Sequence, residues 1–346
     1  MSTAPSVNPQ RPPVTDSGLL PVGDGHHIYW EESGDAAGVP CLYLHGGPGG
    51  TLGRGGYRDR YPGDARIIGL DQRGCGRSTP NAATPGYPLH QNTTAHLIAD
   101  IEALRGQLGV EAWVVTGVSW GSTLALAYAT AHPERLAGLI LFAVTTTRRF
   151  ETDWITDTVG AIYPEAWDRF AGHARAADPT YARGDGRLVE AYARLLDDPD
   201  PAVVDAASLA WADWEDHHVA IGNGGVRPNA NFVDPTYRHA FTRLTSTYWA
   251  HDAYLDPPLL DRLEGLAAQG VLDAIPAVLI HGRLDVSGPA GTAWEVHRRW
   301  PGSRLEIVET EGHGGPLMVE LWTAAAAELV AGVQAAAQAA RPWRNP

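Results

Sequence analysis

The chain has 346 residues, 44% hydrophobic and 19% charged, with a formal net charge of −14. That balance suits a globular protein with a large core, or a core domain carrying an insertion, and its acidic surface argues against nucleic acid as a partner. Two cysteines, Cys41 and Cys75, are too few for a disulfide framework and point to a reducing, cytoplasmic setting.

Residues 1–18 are rich in Ser and Pro, lack an apolar leader-like run and are expected to be frayed. No run reads as long enough to span a bilayer, so no membrane partner is expected. Residues 19–35 read as a hairpin around Gly23-Asp24-Gly25. Two apolar runs follow. Cys41-Leu42-Tyr43-Leu44 ends in His45-Gly46-Gly47-Pro48-Gly49-Gly50, and Arg66-Ile67-Ile68-Gly69-Leu70 ends in Asp71-Gln72-Arg73-Gly74-Cys75-Gly76-Arg77-Ser78. Apolar runs that stop at glycine-rich loops and alternate with helical segments predict a mostly parallel sheet with helices on both faces. A helix is expected from Asn92 to Gly109, capped by Thr93 or Thr94.

Next comes Ala112-Trp113-Val114-Val115-Thr116, an apolar β-prone run, then Gly117-Val118-Ser119-Trp120-Gly121 and a stretch of helix formers. A G-x-S-x-G between a strand and a helix places its serine on a sharp turn, exposed to a substrate. Leu136 to Val144 predicts the next strand. From about Thr145 to Asp261 aromatics, Asp and Pro abound and no buried-strand run occurs, with helical patches at Arg187–Leu196 and Ala202–Val219. This predicts an α/β-hydrolase core from 1–145 and 262–346, with an inserted helical cap domain over 146–261. The sheet pattern returns at Ala277–Ile280 and Arg304–Val308, and an alanine-rich helix runs from Pro316 to Arg341, ending near Pro342.

A serine hydroxyl needs a base to attack a carbonyl, and the base needs an orienting acid. Ser119, Asp285 and His313 follow the chain order Ser, acid, His of the α/β-hydrolase arrangement, with Asp285 and His313 in loops just after strands. The oxyanion donors expected are the amides of Trp120 and Gly47, with Gly46 as the fallback. His45 belongs to that loop and is not the base. The loop lacks the spacing of a phosphate cradle, and no cofactor is expected. Glu215-Asp216-His217-His218 is the densest metal-ligand cluster, but neighbouring histidines point different ways on a helix, so no metal is expected.

The stretches His45–Gly50, Asp71–Ser78, Asn92-Thr93-Thr94 and Ser119–Leu126 together resemble the proline iminopeptidases, and the likeness continues at His281–Asp285 and Gly312-His313. The resemblance implies cofactor-free hydrolysis of an N-terminal proline from short peptides. It also implies that cap carboxylates bind the substrate's free amino group, one of them in a Trp-x-x-Trp-Glu segment. Here that segment is Trp211-Ala212-Asp213-Trp214-Glu215, so Glu215 is the expected amine ligand and Trp211 and Trp214 the aromatic wall beside it. A second family segment, Arg-Ile-Glu-Asn-His-Tyr-Phe, stands here as Arg243-Leu244-Thr245-Ser246-Thr247-Tyr248-Trp249, with Thr245 replacing the glutamate. The lost charge opens a second reading, an esterase or amidase for a small molecule or an aminoacylated natural product. The expected partner is a small peptide or aminoacyl small-molecule substrate.

Overall fold

The structure, a computed structural model, describes residues 11–53, 55–178, 181 and 187–339. Eight strands form one sheet: β1 (Val14–Pro21), β2 (His27–Gly34), β3 (Val39–Leu44), β4 (Ala65–Asp71), β5 (Trp113–Val118), β6 (Leu136–Phe142), β7 (Ala277–Gly282) and β8 (Ser303–Val308). Their order is β1-β2-β4-β3-β5-β6-β7-β8. The first two strands run antiparallel and the rest parallel. Strands β5 and β7 are almost wholly buried, as their unbroken apolar runs require of a sheet covered on both faces.

The helices are α1 (Thr94–Gln107), α2 (Trp120–Ala131), α3 (Arg149–Thr156), α4 (Pro164–Ala177), α5 (Leu188–Leu195), α6 (Pro201–His218), α7 (Pro235–Ala250), α8 (Leu259–Ala268), α9 (Ala290–Arg299) and α10 (Pro316–Ala339). Residues of α1, α2, α8 and α9 share one hydrophobic core with the sheet. On the opposite face α10 packs Met318, Trp322, Ala326 and Leu329 against Ile140, Val278 and Ile280. Helices α3 to α7 enclose a separate aromatic core built around Trp167, Phe170, Tyr192, Trp211 and Trp214. Helix α8 crosses the expected 261/262 boundary and packs with the sheet core.

Three expectations need correction. Residues 14–18 are not frayed: they begin β1, whose backbone groups pair with β2. Thr93 precedes α1 but makes no side-chain cap, because its hydroxyl meets His96 instead, and Thr94 donates to the Ala253 carbonyl. Helix α10 is by length and composition long and apolar enough to cross a membrane, although one stripe of it is packed on the sheet. The expected end of that helix near Pro342 lies outside the described residues.

Candidate active site

Strand β5 delivers Ser119 to the first turn of α2, and the chain folds sharply there. Ser119 has φ 56 and ψ −123, a region that L-residues occupy only when their surroundings enforce it. A Cβ on Gly117 would stand 2.1 Å from the Gly121 carbonyl oxygen, and one on Gly121 2.1 Å from that of Leu44, so both must be glycine. Hydrogen bonds hold the turn. The Ser119 amide donates to Phe142 O at 2.8 Å. Its carbonyl accepts from Ser122 Oγ at 2.6 Å and Thr145 Oγ1 at 3.0 Å. Thr123 Oγ1 in turn contacts the hydroxyls of Thr145 at 2.9 Å and Thr147 at 2.7 Å.

Asp285 and His313 leave the carboxyl ends of β7 and β8, the edge where open α/β sheets place their ligands. His313 Nε2 lies 2.9 Å from Ser119 Oγ, and His313 Nδ1 lies 2.8 Å from Asp285 Oδ2. An ionised carboxylate only accepts, so Nδ1 carries the proton and Nε2 is left to accept from the serine. Asp285 is fully buried, and Gly288 N–H donates to its Oδ1 at 2.9 Å. Burial pushes the Asp285 carboxyl upward, but the charge of His313 and its hydrogen bond outweigh that and leave it below the usual carboxylate range. Burial lowers His313, yet the Asp285 carboxylate, with help from Glu215, holds it above an ordinary histidine. The His313 loop is clamped by the cap: a Cβ on Gly312 would stand 1.8 Å from the Ile221 carbonyl oxygen.

Gly47 and Trp120 line the same small cavity, of about 40 Å³, as Ser119, His313, Glu215 and Trp249. Trp120 is the first residue of α2, so its amide has no partner inside the helix. Gly46 packs behind the nucleophile rather than lining the cavity. A Cβ there would lie 3.2 Å from Ser119 Cβ, and its carbonyl accepts from the Gly50 amide and faces His45 Nδ1. Gly46, expected as the fallback oxyanion donor and as a substrate contact, is not among the residues that line the cavity. His45 is buried, and its Nε2 accepts from the Gln72 amide at 3.0 Å, which commits the ring to holding the loop. Larger clefts of about 860 and 670 Å³ contain none of Ser119, Asp285 and His313.

On the cap side, Glu215 reaches the cavity from α6. Burial raises its carboxyl, and the charges of His218 and His313 reverse the sign, so it lies below the usual range and is ionised. Trp211 and Trp214 do not line the cavity, although the Trp211 indole lies near Glu215 and helps hold its carboxyl low. Both tryptophans are fully buried in the cap core, where Trp214 stacks on Phe170 and Trp211 meets Tyr192 edge-on. One helical face carries both indoles inward, and the following residue, rotated by about 100°, carries Glu215 out to the cavity. The cavity's aromatic side chains are Trp249 of α7 and Trp120. Thr245 is fully buried and donates to the Pro48 carbonyl at 2.8 Å, which ties the cap to the loop of Gly47.

Sequence reasoning missed four residues here. Gln72, inside a motif already singled out, bridges the oxyanion loop and Trp120. Glu151 caps α3 and lines the cavity. His218 and Ser287 form a pair behind Glu215. In the Glu215–His218 cluster His217 Nδ1 faces the Asp213 carbonyl and His218 faces Glu215.

Residues 40–317 match the family model for the alpha/beta hydrolase fold, in agreement with the sheet order and the serine–histidine–aspartate series. The class is thus an α/β-hydrolase. The chain is 43% identical over 315 residues to a probable proline iminopeptidase of Streptomyces coelicolor, covering 90% of this chain and 93% of that one. It is 40% identical over 305 residues to the proline iminopeptidase of Neisseria gonorrhoeae, covering 86% and 90%. The crystal structure of a Mycobacterium smegmatis proline iminopeptidase superposes with a TM-score of 0.57 at 20% identity, over 93% of this chain and all of that one. The chain belongs to the proline iminopeptidase family.

Proposed function

We propose that this chain is a serine aminopeptidase that releases an N-terminal proline or another small residue from short peptides or aminoacyl amides. The observation that carries the proposal is one cavity bordered by both Ser119–His313 and the ionised Glu215. Ser119 Oγ attacks the scissile carbonyl as its proton passes to His313 Nε2. The amides of Trp120 and Gly47 take the developing oxyanion. The C–N bond breaks as His313 returns the proton to the leaving amine, and water then hydrolyses the acyl-enzyme by the same route. Glu215 meets the substrate's ammonium with a charge-assisted bond, which fixes the first residue at the nucleophile. A cavity this small favours a small first residue.

Thr245 supports a second reading. Its neutral, buried hydroxyl leaves Glu215 without the second carboxylate of the family segment, which would suit an esterase or amidase for small aminoacylated molecules. Two buried free thiols, Cys41 and Cys75, support a reducing, cytoplasmic setting.

A panel of L-prolyl and L-alanyl p-nitroanilides, their N-acetyl forms and p-nitrophenyl esters separates the readings. The aminopeptidase reading expects free-amine anilides to be cleaved, and N-acetylation to cost about 10- to 150-fold, the worth of one bond to a charged group. Turnover of esters alone would favour the second reading.

A further inference from the structure

Behind Glu215 lies a second hydrogen-bonded series of side chains that the hydrolytic steps do not use. His218, one helical turn further along α6, is buried, and its Nε2 stands 3.1 Å from Glu215 Oε2. Its Nδ1 stands 3.1 Å from Ser287 Oγ. Ser287 lies in the loop that carries Asp285 and lines the same cavity as Glu215. The series therefore spans from the cap helix to the catalytic loop of the core.

The chemistry of the carboxylate fixes the direction of the first of these bonds. Glu215 is ionised and only accepts, so His218 Nε2 must carry a proton and donate it. In the neutral ring Nδ1 is then the acceptor, and Ser287 Oγ–H donates to it. The imidazole N–H holds the carboxylate by one directed hydrogen bond. One lone pair of Oε2 is taken, and the carboxylate's remaining acceptor sites are left for an ammonium. The tether from Ser287 matters for position. It links the amine-binding carboxylate to the loop that orients His313, so the distance from ammonium to scissile carbonyl is set by side chains rather than by cap packing alone.

We propose that His218, anchored by Ser287, is a positioning residue for substrate recognition: it holds the Glu215 carboxylate aimed at the α-ammonium of the substrate. The proposal rests on the reading of Glu215 as the amine ligand. It places the determinant of amine selectivity in a three-residue series, Glu215–His218–Ser287, which stands in for part of what the glutamate at position 245 supplies in the family segment.

The test is a ratio, kcat/KM for L-prolyl p-nitroanilide divided by kcat/KM for p-nitrophenyl acetate, which has no amine. Thermal melting accompanies each variant. His218→Leu fills the space without a donor and is expected to lower the ratio about 10-fold, through KM for the anilide. His218→Gln keeps an N–H donor and should restore the ratio to within about 3-fold of the parent. In a Glu215→Gln background His218→Leu should have no further effect, because the group it positions has lost its charge. Ser287→Ala lies outside the cap core and should lower the ratio about 3-fold, which keeps the test open if His218→Leu melts early. An unchanged ratio in both His218→Leu and Ser287→Ala, with Glu215→Gln lowering it, would overturn the positioning role alone. An unchanged ratio in Glu215→Gln would overturn the amine-ligand reading, and the proposal with it.

Discussion

Trp120 Nε1 donates to Gln72 Oε1 at 2.9 Å, while Gln72 Nε2 donates to the His45 carbonyl at 2.9 Å. One amide side chain thus joins the residue after the nucleophile to the loop of Gly47. The two oxyanion amides come from segments more than seventy residues apart, so some group must fix their separation. Oxyanion stabilisation depends on donors that are in place before the charge develops. Gln72→Leu is expected to lower kcat about 10- to 100-fold with little change in KM, less than the full loss of a donor. Steady-state kinetics on a prolyl anilide checks this, and a loss confined to KM would assign Gln72 to substrate binding.

The pH profile follows from His313. It must be neutral to accept the Ser119 proton, and Asp285 and Glu215 hold it above its ordinary value of 6.5. Activity is therefore lost as pH falls through a point above 6.5, where the ring takes a proton. Glu215→Gln removes one of the charges that favour the protonated ring. The acidic limb of kcat/KM, measured on an ester without an amine, should then move to lower pH. A limb that stays in place would show that Glu215 does not act on His313.

The Asp71–Ser78 motif also carries the fold. Arg73 makes a two-pronged ion pair with Asp100 of α1, at 2.6 and 3.0 Å, and both side chains are almost fully buried. Burial raises the Asp100 carboxyl more than Arg73 lowers it, so the pair is retained against a desolvation cost. Asp100→Asn leaves the Arg73 charge without its partner and should destabilise the chain by about 3–5 kcal/mol. Urea unfolding would show this as a lower midpoint at constant slope.

How far the sequence reached depended on whether a feature was local. Ser119 was legible because its turn demands glycines at fixed offsets, and Asp285 and His313 because each lies in a loop that follows a strand, in the order the fold requires. Glu215 lines the cavity, while Trp211 and Trp214 do not. A Trp-x-x-Trp spacing marks one face of a helix, but nothing local says whether that face meets a cavity or a core. Thr93 and Thr94 failed as caps because His96 and the Ala253 carbonyl offered their hydroxyls other partners. The Ser287–His218 contact spans 69 positions and joins cap to core, so no spacing rule could reveal it.

Peptide mapping after fluorophosphonate treatment tests most directly whether Ser119 is the nucleophile. The unaltered protein should gain one covalent adduct, on the peptide bearing Ser119, and lose prolyl anilide turnover in step with labelling. Ser119→Ala should take up no adduct, turn over about 10⁴-fold more slowly or worse, and melt at nearly the same temperature. An adduct on another serine, or labelling that persists in Ser119→Ala, would contradict that role.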